Sequence, residues 1–375
     1  MTAASDSQLV VIGASAGGIE AVSRVVASLP PDFPVPIVIA QHLDPRRPSH
    51  LREILARQTP LPVRTVTEKA VLEDGVVYVV PSNRHVELTD RELRLHQPAG
   101  GGIAPSVDVL LESASKVFGA GLIAVILTGS GSDGSVGARH VKLAGGTVVI
   151  ENPATAMFPS MPSSIPPSLV DATADLDGIG PLLHDFLAVD GESTDGMDRT
   201  ELNALLERIR GRSGIDFSTY KPATILRRLK GRMTATNRNS LASYAAHLEA
   251  EPEEYARLVS SLLIKVTEFF RDPKVWDYLR ERILPGLIDE ARTDGRELRL
   301  WSAGCATGEE AYSLAIAVAE GLGKERSPLD VRVFATDIDR DAIAFARRGV
   351  YSSAVVAGIP APIRDRYFVR TDGGY

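Results

Sequence analysis

Three residues of types that cooperate in acyl transfer each follow a short apolar run. Ser15 lies in Gly13-Ala-Ser-Ala-Gly17 after Leu9–Ile12, His42 follows Pro36–Ala40, and Asp133 follows Leu122–Leu127 in the loop TGSGSDG. A serine, a histidine and an aspartate suit the roles of nucleophile, general base and orienting carboxylate. His42 would take the Ser15 proton, and Asp133 would fix the imidazole tautomer and stabilise its charged form. Glycines at 13, 17 and 18 permit a sharp turn and close approach of a substrate. The backbone N–H of Ala16, expected at a helix start, is placed to hold an oxyanion.

Each of these residues also has a structural use. Ser15 could cap a helix beginning near Ala16, Asp133 could cap the helix after Gly134, and His42 could be a satisfied structural histidine. His85, in PSNRHVEL, is a rival base, and Asp108, in PSVDVL, a rival acid. A nucleotide phosphate on the first turn is the competing chemistry. It calls for glycine where Ser15 stands and a carboxylate closing the second strand, which here closes with Gln41-His42.

The elements that must position these residues read as a parallel sheet. The apolar runs Leu9–Ile12, Pro36–Ala40, Leu122–Leu127 and Thr147–Ile150 are continuous rather than alternating, and each precedes a stretch able to form a helix. That pattern predicts an α/β, doubly wound, mostly parallel sheet covered on both faces, with ligands taken at the carboxyl ends of its strands. Closely spaced turn signals in AVLEDGVVYVVPSNRHVELTDRELRLHQ predict antiparallel hairpins appended to that sheet.

Residues 189–200, VDGESTDGMDRT, read as an acidic linker. A small helical region is expected over 201–262, then a partial Rossmann-like domain over 263–375, giving four segments with the first at 1–188. From Arg208 to Arg238 there are nine basic residues against one acidic, Asp216. In KPATILRRLKGRM the apolar Ile225, Leu226, Leu229 and Met233 share one helical face, with basic groups on the others. Without interleaved aromatic residues this suits acidic protein helices better than nucleic acid. Further on, RLWSAGCATGEEAYS reads as strand, small-residue turn and helix, with Glu309 and Glu310 at the helix start. The next strand ends at Asp337, where a ribose-binding carboxylate would stand.

Bulk properties bound the classes. The 375 residues carry a net charge of −7, with 44% hydrophobic and 24% charged residues, which argues against a surface devoted to nucleic acid or anionic lipid. One cysteine, Cys305, cannot form an internal disulfide, which suits a reducing compartment. No run has the length of a membrane helix and the start MTAASDSQ is not a signal peptide, so a cytoplasmic protein without membrane insertion is expected. No metal site is expected.

The motifs VVIGASAGGIEAV, IVIAQHLDP, APSVDVLLESAS, ILTGSGSDGSVGAR and ATAMFPSMPSS, in that order, resemble the catalytic domain of CheB, the chemotaxis protein-glutamate methylesterase, over residues 9 to 187. The resemblance implies a Ser15, His42, Asp133 triad that hydrolyses glutamate γ-methyl esters on chemoreceptors. It also implies release of methanol, possible glutamine deamidation, and no cofactor. Ser130 stands where the family often has methionine; a backbone oxyanion contact is expected there alongside Ala16. Too few residues precede the first strand for the receiver domain common in the family, so regulation by phosphorylation within this chain is not expected.

The later motifs YKPATILRRLKGRM, VTEFFRDP, WSAGCATGEEAYSLA, VFATDID and ARRGVY resemble CheR, the S-adenosylmethionine-dependent methyltransferase that acts on the same receptor glutamates. That implies cofactor contacts from Thr267, Arg271, Glu309 and Asp337, and basic helices that meet cytoplasmic chemoreceptor helices. Lys265 stands where the family often has asparagine. With two clear strands between 297 and 375, the methyltransferase sheet is expected to be incomplete and the chain a fragment of a longer CheB–CheR fusion. The alternative is a non-catalytic signalling or docking module of a larger kinase-linked protein.

Overall fold

The computed structural model describes residues 8–44, 49–97, 104–191, 199–218, 220, 222–236, 238, 240–263, 267–323, 329–371 and 374–375. They belong to two compact units, Met1–Leu263 and Ile264–Tyr375.

The first unit contains strands β1 (Leu9–Ala14), β2 (Ile37–Gln41), β3 (Val63–Thr65), β4 (Lys69–Val71), β5 (Val77–Val79), β6 (His85–Thr89), β7 (Glu92–His96), β8 (Leu122–Ile126), β9 (Thr147–Glu151) and β10 (Ala172–Ala174). Seven of them make one sheet in the order β10-β9-β8-β1-β2-β5-β3, with every neighbouring pair parallel. The chain winds from β1 outward through β2, then returns to lay β8 on the other side of β1. The switch point therefore falls between β1 and β8, where the carboxyl ends leave a crevice.

The helices explain why these strands are apolar without alternation. They are α1 (Gly18–Ala27), α2 (Leu51–Ala56), α3 (Val107–Phe118), α4 (Ser135–Leu143), α5 (Ser160–Ser163) and α6 (Leu176–Gly191). Val10, Ile12, Ile37, Ile39, Ile123 and Val125 pack against Val22, Val25 and Val26 of α1 and Ile179 and Leu183 of α6. On the opposite face a Cβ at Gly13 would lie 2.6 Å from Val107 of α3, and one at Gly134 would lie 2.9 Å from Ile126. Leu9 to Ile12 are each 0% exposed, as covering on both faces requires.

One expectation about this region is corrected. Val77–Val79, inside the stretch read as hairpins, is β5 of the parallel sheet, because its three residues are buried on both faces. The hairpin reading holds for β4, β6 and β7, which form a separate antiparallel sheet in the order β4-β7-β6.

The acidic segment is shorter than its composition indicated. α6 runs to Gly191 and α7 (Arg199–Ser213) begins at Arg199, leaving residues 192–198 outside the described set. α7 is followed by α8 (Pro222–Ala235), α9 (Leu241–Ala250) and α10 (Pro252–Leu262), which share a core of Leu205, Ile209, Phe217, Ile225, Leu229, Tyr244 and Leu258.

The basic face of α8 is turned inward, which corrects the reading of it as a free docking face. Arg227 donates to the Ala120 carbonyl at 2.6 Å, and Arg228 donates to Leu262 at 2.7 Å and faces Asp171 at 3.4 Å. Lys142 of α4 holds both Asp171 oxygens at 2.5 and 2.7 Å, and burial pushes its ammonium down from the ordinary lysine range. Arg232 pairs with buried Glu254, which also accepts the Tyr244 hydroxyl at 2.8 Å. Arginine forks that find carbonyls and carboxylates beside apolar neighbours are used up by the fold, since a buried cation must be paired.

The second unit holds α11 (Pro273–Tyr278), α12 (Leu284–Asp294), β11 (Leu298–Ala303), α13 (Glu309–Leu322), β12 (Val331–Thr336) and α14 (Arg340–Arg348). β11 and β12 pair in parallel, Leu298 opposite Val331. Leu298, Ala317, Val318, Ile288 and Trp276 form their shared core. The register partners Trp301 and Phe334 are 69% and 46% exposed.

Candidate functional site

The in-register pairing of Ala14 with Gln41 brings the first residues beyond β1 and β2 side by side, and these are Ser15 and His42. The Ser15 N–H donates to the Thr128 carbonyl at 3.0 Å, tying the serine to the loop after β8, and the His42 N–H donates to Ala14 at 3.0 Å. The turn is Ser15-Ala16-Gly17. Gly17, at φ +73°, is the N-cap of α1, without a side-chain cap, and a Cβ there would crowd Met157, Phe158 and Thr128 at 3.1 to 3.3 Å. Ser15 is therefore not the cap considered from the sequence. Ala16 lies in the turn before the helix, which begins two residues later than expected, and its N–H has no acceptor among the described residues.

His42 Nε2 lies 2.8 Å from Asp133 Oδ2. The same carboxylate accepts the Val107 N–H at 2.8 Å on Oδ2, and the Asp108 N–H at 2.9 Å and the Ser106 hydroxyl at 3.2 Å on Oδ1. Asp133 thus sits at the N-terminus of α3, not of the helix that follows it. Burial alone would push its carboxyl up, but the His42 contact and the amides at the helix start outweigh burial and hold it below the usual carboxylate range. An ionised carboxylate only accepts, so in the neutral imidazole the proton belongs on Nε2 and the lone pair on Nδ1. No hydrogen bond among the described residues joins Ser15 Oγ to the ring.

Neither rival is placed as base or orienting acid. His85 Nδ1 accepts the Ser106 N–H at 3.2 Å, and Asp108 accepts the Gly134 and Gly137 N–H groups at 2.9 and 2.7 Å, capping α4. Burial first, then the Asp133 charge, push the Asp108 carboxyl up to about 7. Ser130 is exposed on the loop after β8, and the Gly131 N–H beside it is held by Ser160 Oγ at 3.3 Å.

Sequence reasoning passed over several supports. Ser106 caps α3, which an apolar run after a serine could have signalled. Glu151, buried at the end of β9, accepts the Thr128 N–H at 2.6 Å; nothing in its local sequence announced it.

In the second unit, Glu309 and Asp337 flank one loop. Asp337 accepts the Ala306 N–H and the Asp339 N–H, each at 2.8 Å. Glu309 is buried at the start of α13 with Thr307 Oγ1 at 2.6 Å, and Glu310 holds Ser302 Oγ at 2.8 Å. Gly304 has φ +73° and open space where a Cβ would point, so the backbone there is accessible to a ligand. The Phe270 N–H donates to Ser313 Oγ at 3.0 Å, which anchors the segment holding half-buried Thr267 and exposed Arg271 to α13. Lys265 lies outside the described residues.

Parallel strands ending in a serine, a histidine and a carboxylate define an α/β domain of hydrolase type, and the first unit carries a helical region behind it. The chain belongs to the CheB methylesterase family: residues 10–183 match that family's model, and a putative protein-glutamate methylesterase/protein-glutamine glutaminase of Leptospira interrogans is 38% identical over 47% of this chain and 92% of its own length. Residues 200–263 match the all-alpha domain of CheR methyltransferase and residues 265–375 its SAM-binding domain. Chemotaxis protein methyltransferase 2 of Pseudomonas aeruginosa is 35% identical over 47% of this chain and 60% of its own. An uncharacterised 104.1 kDa protein of Rhodobacter capsulatus is 32% identical over 87% of this chain, which spans 37% of that relative's length. Among the described residues no helix is long and apolar enough to cross a membrane, and no cluster of residues could hold a metal ion.

Proposed function

We propose that residues 10–183 hydrolyse glutamate γ-methyl esters on the cytoplasmic helices of methyl-accepting chemoreceptors, and that the region after them is the methyltransferase of the same glutamates. The observation that carries the esterase reading is the His42 Nε2 to Asp133 contact of 2.8 Å at the strand ends beside Ser15. With the proton held on Nε2, Nδ1 is the base. As substrate seats, Ser15 Oγ attacks the ester carbonyl and its proton passes to Nδ1. The developing oxyanion is taken by the Ala16 N–H and the Ser130 N–H. His42 returns the proton to the departing methoxy oxygen, releasing methanol. Water, activated by Nδ1, then cleaves the acyl-serine and leaves glutamate; a glutamine side chain would release ammonia by the same steps.

In the second unit S-adenosylmethionine would supply a methyl group as an electrophile. The small-residue loop Gly304–Gly308, open at Gly304, would hold it, with Asp337 suited to a ribose hydroxyl pair and Glu309 at the buried start of α13. Thr267 and Arg271, anchored through Phe270, close the proposed set.

The test is methanol release from methylated receptor. The wild-type chain should release it and Ser15→Ala should not; equal release by both would overturn the assignment.

A further inference from the structure

Gln41 closes β2 immediately before His42, and the Ser-His-Asp scheme leaves it without a task. The side chain is 1% exposed. Its Nε2 donates to the Ser15 carbonyl at 2.7 Å and to the His42 carbonyl at 2.9 Å, so one amide bridges the backbones of the nucleophile and the base. The Ser15 carbonyl also accepts the Gly18 N–H at 2.9 Å, and the His42 N–H is fixed to Ala14, so the Cα to Cβ directions of both residues are set by this small network.

The arrangement has a cost. Gln41 Oε1 is buried without a partner, a penalty that an apolar side chain of equal length would avoid. Room for that oxygen exists only because residue 18 is glycine; a Cβ there would lie 2.1 Å from it. Unpaired buried polar atoms are uncommon in native proteins and call for a reason. Here the other end of the same amide holds the two backbones from which the proton-transfer partners project.

We infer that Gln41 is a positioning residue of the esterase, setting the separation between Ser15 and His42. The inference rests on the esterase reading. Gln41 touches neither substrate nor reacting atoms, so its loss should lower kcat without changing substrate affinity, since displacing a reacting pair by about 1 Å can cost on the order of 100-fold.

The experiment measures methanol release from a peptide bearing a glutamate γ-methyl ester, with thermal melts to correct each rate for folded fraction. Gln41→Met keeps the length and loses both donors; Gln41→Glu sets a carboxylate against the two carbonyl oxygens. The expected result is a kcat lowered roughly 10- to 100-fold in Gln41→Met with KM within twofold of wild type, and lower still in Gln41→Glu. A folded Gln41→Met with wild-type kcat would overturn the inference alone, as would a loss that vanishes after correction for folding. An inactive wild type, matching Ser15→Ala, would overturn the esterase reading and this inference with it.

Discussion

Asp133 and Asp108 cap each other's helices. The Asp133 carboxylate accepts the Asp108 N–H at 2.9 Å at the start of α3, while the Asp108 carboxylate accepts the Gly134 and Gly137 N–H groups at the start of α4. The exchange locks the loop after β8 to α3 and aims Asp133 at His42. It also drives the two carboxyl groups apart in acidity, one below the usual range and the other up to about 7.

That divergence predicts a pH dependence of stability. With its folded-state value raised from 3.8 to about 7, the Asp108 contribution is fully present below about pH 4 and lost as pH rises through about 7. Asp108→Asn imitates the protonated form. It should remove this decline, which amounts to on the order of 2–4 kcal/mol between those limits. Tm against pH for both proteins checks it; parallel curves would refute it.

Asp133→Asn should be folded and nearly inactive. An amide facing Nε2 offers a donor where the carboxylate accepts, which favours the tautomer with the proton on Nδ1 and removes the base. Loss of kcat on the order of 10³- to 10⁴-fold is expected, by analogy with triads of this kind. Steady-state methanol release measures it, and a loss below tenfold would show that Asp133 does not set the tautomer.

The ionic cluster behind the sheet should be critical for stability. Asp171, its side chain 7% exposed, is shared by Lys142 and Arg228 and also accepts the Val148 N–H at 2.8 Å. Asp171→Ala strands two buried cations, and roughly 3–5 kcal/mol of stability should go with it. Urea denaturation reads the change; a loss under 1 kcal/mol would mean that the cations are solvated in solution.

Asp337→Ala frees the Ala306 and Asp339 N–H groups and loosens the Gly304–Gly308 loop. Isothermal titration with S-adenosylmethionine should show affinity at least tenfold weaker than wild type. Unchanged affinity would remove Asp337 from the proposed cofactor site.

Much of the first unit was legible because continuous apolar runs on a two-faced sheet carry their own signature. β1, β2, β8 and β9 fall on runs visible in the sequence. β5 was not, because three apolar residues among turn signals read equally well as part of a hairpin. Their burial against β2 and β3 is a tertiary fact. The basic face of α8 misled for the same reason. Composition showed cations on a helix, and only packing showed that Arg227 and Arg228 are turned onto Ala120, Asp171 and Leu262.

By itself the sequence determined which residue types arrive at the strand ends, and offered Ser15, His42 and Asp133 for acyl-transfer chemistry with His85 and Asp108 as rivals. Strand periodicity and turn glycines are local, so they can be read from the chain. The tertiary structure decided what the side chains do with one another. It put Nε2 rather than Nδ1 on the carboxylate, gave Asp133 to α3 and Asp108 to α4, and stretched Gln41 between two carbonyls. Those choices depend on distances between residues as much as 91 positions apart, which hydrogen-bond geometry fixes only once the sheet has closed.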